Sequence, residues 1–267
     1  MRRFRRSLIR RFNARFRPYR FLIYALPRSG STSLVKVLNA YAGIECANEP
    51  FNLAVYPDVR GRVTDLPSLQ REFAWLWRRF NGFKHICEFR GWPFAEQPLL
   101  EDYIVTSAPK TVILLHRRNL LRRIASHEIS RQSQIWHVNR GDERAKLLEH
   151  PFKPLDRAAI RQRLEEERQA FAEVQRRLDR GKVRYRIISY EDLFGDASEE
   201  QRIAVLREII AFITRVSFNP KRLQREALRI MDPQKSRVNS AETYELVPSI
   251  HEVEDEFGCD ETGYLFR

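Results

Sequence analysis

An apolar and aromatic run, Arg20 to Leu26 (RFLIYAL), stops at Pro27-Arg28-Ser29-Gly30-Ser31-Thr32 and gives way to helical spacing over Ser33 to Tyr41. The run suits a buried strand, and Leu34, Val35, Val37 and Leu38 give the following helix an apolar face. A strand that passes through a glycine turn into a helix is the repeating device of parallel sheets. The helix covers the sheet and its N-terminus opens beyond the strand's C-terminal end.

The same alternation recurs. Short strands are expected at Ile44 to Ala47, Phe83 to Phe89, Thr111 to His116 (TVILLH) and Val183 to Ser189 (VRYRIIS). Helices are expected over Pro67 to Phe80, Gln97 to Ser107, Asn119 to Ser130, Asp156 to Arg180 and about Glu199 to Thr214. The charges of Asp156 to Arg180 read as a solvated face opposite Ile160, Leu164, Phe171, Val174 and Leu178. Strands alternating with helices predict an α/β, P-loop-like, three-layer fold with a central parallel sheet flanked by helices. Ligands of such sheets bind beyond the C-terminal strand ends, where the regions of Arg28, Glu49, Arg118 and Tyr190 would converge. With no internal repeat or low-complexity linker, 19–267 is read as a single domain behind an arm formed by 1–18.

In the first turn, Gly30 lets a ligand approach the backbone, and Ser29, Ser31 and Thr32 supply hydroxyls. The helix N-terminus adds unpaired N–H groups and a positive dipole end, and Arg28 adds a bidentate cation. The chemistry suits phosphate or sulfate. The Walker pattern is absent, since no Gly-Lys pair follows, and so is the cysteine of a tyrosine-phosphatase loop. For the turn taken alone, a plain helix N-cap is the structural alternative.

A second strand-helix unit narrows the choice. TVILLH is followed by Arg117-Arg118-Asn119 and a helix carrying Ser126, eight residues after Arg118. Ser126 lies about two turns into that helix, so it and Arg118 could share a phosphate lying beside the helix. A solvent-facing basic helix would account for Arg122 and Arg123.

These two segments resemble the sulfotransferase family that uses 3′-phosphoadenosine 5′-phosphosulfate (PAPS). PRSGST looks like the family's loop for the 5′-phosphosulfate. HRRNLLRRIAS looks like its 3′-phosphate motif, an arginine followed by Asp or Asn with a serine eight positions on. The resemblance implies that Arg28, Ser29, Gly30, Ser31 and Thr32 hold the 5′ side, and that Arg118 and Ser126 hold the 3′-phosphate. It places Tyr190, in SYEDL, near the adenine. Leu120 stands where the family often has proline, and the arginine-lysine-glycine element that closes over the 3′-phosphate in aryl and steroid enzymes is absent. Lys235 to Asn239 is the candidate replacement.

Sulfuryl transfer resembles phosphoryl transfer in needing alignment, deprotonation of the acceptor and stabilisation of the leaving phosphate. Glu49, in Asn48-Glu49-Pro50-Phe51, is similar to the Glu-Pro element of bacterial and Golgi carbohydrate sulfotransferases and is the expected general base. A structural pairing of Glu49 with a cation is the alternative. None of the six histidines falls where the aryl and steroid branch carries its base. Glu88 and Arg90 are candidates for lining the acceptor site. Trp75, Trp77 and Trp92 could stack on sugars or belong to the core. The expected reaction moves a sulfuryl group from PAPS to a hydroxyl of a sugar or glycolipid, releasing 3′-phosphoadenosine 5′-phosphate (PAP), without a metal.

The formal charge of +13 suggests nucleic acid until it is located. Residues 1–20 hold nine arginines and no acid, leaving 39 basic and 35 acidic residues elsewhere. Nucleic acid is therefore an unlikely partner for the body of the chain. In the arm, Phe4, Leu8, Ile9, Phe12 and Phe16 recur at helical spacing among arginines. This pattern fits an anionic membrane surface, or else an extension packed on the protein's own body or disordered. The three cysteines are widely spaced, and no apolar run is long enough to span a bilayer. A cytoplasmic enzyme, peripheral at a membrane through the arm, is the expected setting. The rival readings are an ATP-dependent small-molecule kinase and a non-enzymatic membrane or nucleic-acid adaptor.

Overall fold

The computed structural model describes residues 19–41, 43–52, 55–86, 94, 97–136, 141–195, 197–214, 221–232 and 241–266. The arm (1–18), Cys87, Glu88, Arg90, Trp92 and Lys235 to Asn239 lie outside them.

Five parallel strands form one sheet: β1 (Phe21–Ala25), β2 (Cys46–Asn48), β3 (Gly82–Ile86), β4 (Thr111–His116) and β5 (Arg184–Ser189). Their spatial order is β2-β3-β1-β4-β5. From β1 the chain crosses to the edge strand β2, returns with β3 between them, and then crosses to β4 on the other side of β1, so β1 and β4 flank the switch in strand order, the position at which such sheets bind ligands. Two-sided burial explains the continuous apolar strands: FLIYA in β1 and TVILL in β4 are buried throughout.

Helix α1 (Ser31–Ala40) covers one face, on which Phe21, Ile23, Ala25, Ile113 and Leu115 meet Leu34, Val37 and Leu38. The helices α2 (Val59–Arg62) and α3 (Leu66–Arg79) precede β3. Asp65 and Ser68 form a reciprocal capping box at the start of α3. Next comes α4 (Pro98–Asp102), which runs on as a π-helical turn, Tyr103–Ser107. On the second face Leu22, Tyr24, Phe83, Val112 and Leu114 pack against Phe73, Leu76, Ile104 and Leu178.

After β4 come α5 (Leu120–Ser133), α6 (Gly141–Leu148) and the long α7 (Arg157–Arg180). After β5 come α8 (Tyr190–Phe194), α9 (Glu199–Thr214), α10 (Lys221–Met231), α11 (Ala241–Glu245) and α12 (Ile250–Phe257). A third apolar cluster joins Leu121, Ile124 and Ile129 of α5 to Ile160, Tyr244, Val253 and Leu265. The segment after α12 is tied back to α5: Leu121 N–H donates to the Thr262 carbonyl at 2.9 Å and Asn119 Nδ2 to the Tyr264 carbonyl at 2.7 Å.

The expected three-layer α/β architecture is present. Among the described residues no helix is long and apolar enough to cross a membrane. Two surface assignments are corrected. Arg123 and Glu167, expected on solvated helix faces, are both buried, because their charges satisfy one another between α5 and α7.

Candidate functional site

The turn after β1 has the backbone of an anion cradle. Gly30 caps α1 in the left-handed region, at φ 79°, and no side chain caps the helix. No acid stands in the first turn of α1, so its positive end is not neutralised locally. Ser29 is fully buried, and among the described residues its hydroxyl has no hydrogen-bond partner. A buried hydroxyl left unpaired at a helix start is a group awaiting a ligand oxygen or water. Arg28 is held at φ 66°, a conformation costly for a residue with a Cβ.

Gly30 is required for two reasons. Besides its positive φ, a Cβ there would fall 2.8 Å from the Phe194 ring and 2.9 Å from the Tyr190 ring. G30A is expected to lower unfolding free energy by about 1–3 kcal/mol, read by urea denaturation, and to weaken anion binding in parallel.

Arg28 joins the two sequence segments. Its Nε donates to Ser126 Oγ at 3.0 Å, across 98 residues of chain, and its Nη1 donates to the Trp136 carbonyl at 2.6 Å. Burial, followed by repulsion from Arg117, lowers the Arg28 pKa to about 10. Ser126 is buried on α5. Tyr190 lies beside Gly30 and stacks at a tilt on Phe194, with ring centroids 5.3 Å apart. The Arg117 guanidinium lies over the Tyr190 ring, 4.5 Å from its centroid.

Arg118 faces elsewhere. Its side chain is 57% exposed and its Nη1 pairs with Asp192 Oδ1 at 2.9 Å. The start of α5 is occupied by the protein's own carboxylate: the N–H groups of Arg118 and Asn119 donate to the two oxygens of Glu191, at 3.0 and 3.1 Å. Burial raises the Glu191 pKa, but hydrogen bonds from Ser189 and these two N–H groups outweigh it and hold it below the ordinary value.

Glu49 sits just beyond β2, also at a positive φ, 50°. Its Oε1 pairs with Lys84 Nζ at 2.6 Å, and its Oε2 accepts from Asn52 Nδ2. The same Lys84 ammonium donates to Thr32 Oγ1 at 2.7 Å. Lys84 is 1% exposed; burial lowers its pKa, and the Glu49 charge opposes that shift. One buried cation therefore links the proposed base to the first turn of α1.

Beneath the turn lies a second charged network. Arg123 donates from Nη1 to the Pro27 carbonyl at 3.0 Å and from Nε to Glu167 Oε2 at 2.6 Å. Arg163 reaches Glu128 Oε1 at 2.6 Å and His127 Nδ1 at 2.9 Å. Burial raises the Glu128 pKa, but His127, Arg131 and Arg163 outweigh it and bring it to about 2. A carboxylate depressed on folding contributes stability above its unfolded value of 4.5 and loses it as pH falls towards 2. Stability measured by denaturant is expected to drop by about 1–2 kcal/mol through that window, after discounting the exposed partner Arg131. E128Q should remove this part of the pH dependence.

Compared with protein families, characterised proteins and solved structures, the chain matches none.

The structure brings together Arg28, Ser29, Gly30, Ser31, Thr32, Ser126 and Tyr190, with Glu49 reaching Thr32 through Lys84. It turns Arg118 outward, and Glu88 and Arg90 fall outside the described residues. Lys84 and Arg117 were not legible as site residues. Lys84 carried one signal, a cation inside the otherwise buried strand Gly82–Ile86. So did His85, whose Nε2 lies 3.1 Å from Glu101 Oε2, while Tyr24 donates to Glu101 Oε1 at 2.8 Å. Trp77 packs against Phe73 and Phe83 on the second face of the sheet, whereas Trp75 is exposed beneath the Arg79 guanidinium. Among the described residues no group of His, Cys, Asp and Glu could hold a metal ion.

Proposed function

We propose that the chain is a sulfotransferase that moves the sulfuryl group of PAPS to a hydroxyl of a carbohydrate or glycolipid acceptor. The observation that carries this reading is the Arg28–Ser126 hydrogen bond. It joins the two segments that resemble the family's 5′- and 3′-phosphate motifs at a single sheet edge. An adenine nucleotide with phosphate on both ribose sides needs such a pair of anion sites, whereas a nucleoside triphosphate needs one continuous cradle.

In this reading the first turn of α1, Ser29, Ser31, Thr32 and Arg28 bind the 5′-phosphosulfate. Ser126 and an arginine at the end of β4 serve the 3′-phosphate, and Tyr190 lies near the adenine. The acceptor oxygen attacks sulfur as the bond from sulfur to the 5′-phosphate oxygen breaks. The acceptor proton passes to Glu49 and then to solvent. Charge growing on the leaving phosphate is met by the α1 N-terminus and Arg28, groups already fixed before reaction. Lys84 holds Glu49 towards Thr32 and supplies a second cation there. Both oxygens of Glu49 are engaged, so an acceptor hydroxyl must share or displace the Asn52 or Lys84 bond. The arginine-rich arm, through its alternating aromatic and cationic residues, would recruit the enzyme to an anionic membrane bearing lipid-linked sugars.

Incubation with 35S-labelled PAPS and a pool of oligosaccharides and glycolipids tests this. Label in the acceptor with matching release of PAP is expected. Transfer of 32P from γ-labelled ATP to that pool, with no 35S transfer, would replace the reading with a kinase.

A further inference from the structure

We propose that Arg117, and not Arg118, is the arginine that takes the 3′-phosphate. This inference rests on the PAPS reading and adds to it the residue that discriminates a 3′-phosphorylated nucleotide from an unphosphorylated one.

Two adjacent arginines follow β4, Arg117 just past the strand end and Arg118 in a bend, and their guanidinium groups meet different partners. Arg118 is the one at the motif spacing, eight residues before Ser126, yet its surroundings repel an anion. Its guanidinium pairs with Asp192, and Glu191 already takes the N–H groups of Arg118 and Asn119. A phosphate arriving there would meet two carboxylates and would have to displace one of them from the helix start.

Arg117 has the opposite environment. Its guanidinium lies over the Tyr190 ring, 4.5 Å from the centroid, and is held there by the cation–π contact. Its Nε is buried and, among the described residues, has no hydrogen-bond partner. A buried cationic N–H without an acceptor is costly to leave unmade. Arg28, which bonds Ser126, stands close enough to Arg117 for the two charges to repel. Arg117 and Arg28 are thus neighbouring cations, with the Ser126 hydroxyl bonded to one of them. Tyr190 closes the side towards Gly30. An anion would relieve the repulsion and complete the Arg117 Nε. The cluster is on the Tyr190 side, where the nucleotide is expected, whereas the Glu191 and Asp192 carboxylates are already engaged by Arg118 and Asn119.

Calorimetry with two ligands isolates the contact. PAP and adenosine 5′-phosphate differ only by the 3′-phosphate, so the ratio of their affinities reports that group. In the unaltered protein PAP should bind at least about 30-fold more tightly, the scale of a charge-assisted phosphate contact. R117A is expected to bring that ratio down to within about threefold, with little change for adenosine 5′-phosphate, and R118A to leave most of it. Thermal unfolding of each variant without ligand establishes that it is folded. If R117A does not fold, R117K keeps the charge but loses the fork, and should lower the ratio by roughly tenfold. The reverse order, with the ratio lost in R118A and kept in R117A or R117K, overturns the assignment while the PAPS reading stands. No preference for PAP in the unaltered protein overturns both.

Discussion

Replacing Arg123 by alanine is expected to cost the fold about 3–5 kcal/mol, the penalty for removing one partner of a buried ion pair. Arg123 is fully buried, with Glu167 equally so on the facing helix α7. Alanine would leave the buried Glu167 carboxylate with only Arg163, 3.9 Å away, among the described residues, remove the donor to the Pro27 carbonyl and leave a cavity the size of a long side chain. The double variant R123M/E167L, which removes both charges and fills the space, should recover most of the stability. It should not recover nucleotide binding fully, because the donor that pins the phosphate turn at Pro27 is gone. Urea unfolding of the single and double variants checks the first claim, and calorimetry with PAP the second. Equal stability of R123A and the unaltered protein would mean that the pair does not hold α5 to α7.

Glu49→Gln is expected to lower kcat by about 10²- to 10⁴-fold, the usual worth of a positioned general base, while PAP affinity changes by no more than about threefold. The split matters because Glu49 also pairs with Lys84. If that pairing were its only task, the substitution would disturb Thr32 and the phosphate turn, raising KM and weakening PAP binding with kcat nearly kept. A base also leaves a mark on pH dependence. Activity in the unaltered protein should fall on the acid side as Glu49 takes a proton before reaction, and the acid limb should vanish from the residual activity of E49Q. The strained backbone at Glu49 and at Arg28, both at positive φ, is consistent with positions set by a ligand site rather than by local comfort.

The strands and main helices were legible because burial on both faces leaves nearly continuous apolar runs. Thr111–His116 and Glu199–Thr214 were read with the bounds they have. The helices α2, α6, α8, α10, α11 and α12 are not among those expected from the sequence. The spacing of Ala227 and Met231 in α10, and of Ile250, Val253 and Phe257 in α12, is helical, whereas α11 is a single short turn; what stabilises α11 and α12 is the third cluster, formed with α5 residues more than a hundred positions away. In the candidate site, the strand-turn-helix around Gly30 could be read because an apolar run, small residues with a glycine, and a helical pattern follow one another in sequence order. Arg117 and Lys84 could not, because their roles depend on direction. Which of two adjacent arginines faces inward is decided by Glu191 and Asp192, supplied by another strand-helix unit. Lys84 is explained only by the approach of Glu49 and Thr32 from either side.

The proposed function stands most directly on nucleotide selection, measured by metal-free calorimetry of the unaltered protein with PAP and with ATP. Two separate anion sites joined through Arg28 and Ser126 predict micromolar binding of PAP and at least tenfold weaker binding of ATP, with Mg²⁺ unnecessary. Tighter binding of ATP, dependent on Mg²⁺, would contradict the account.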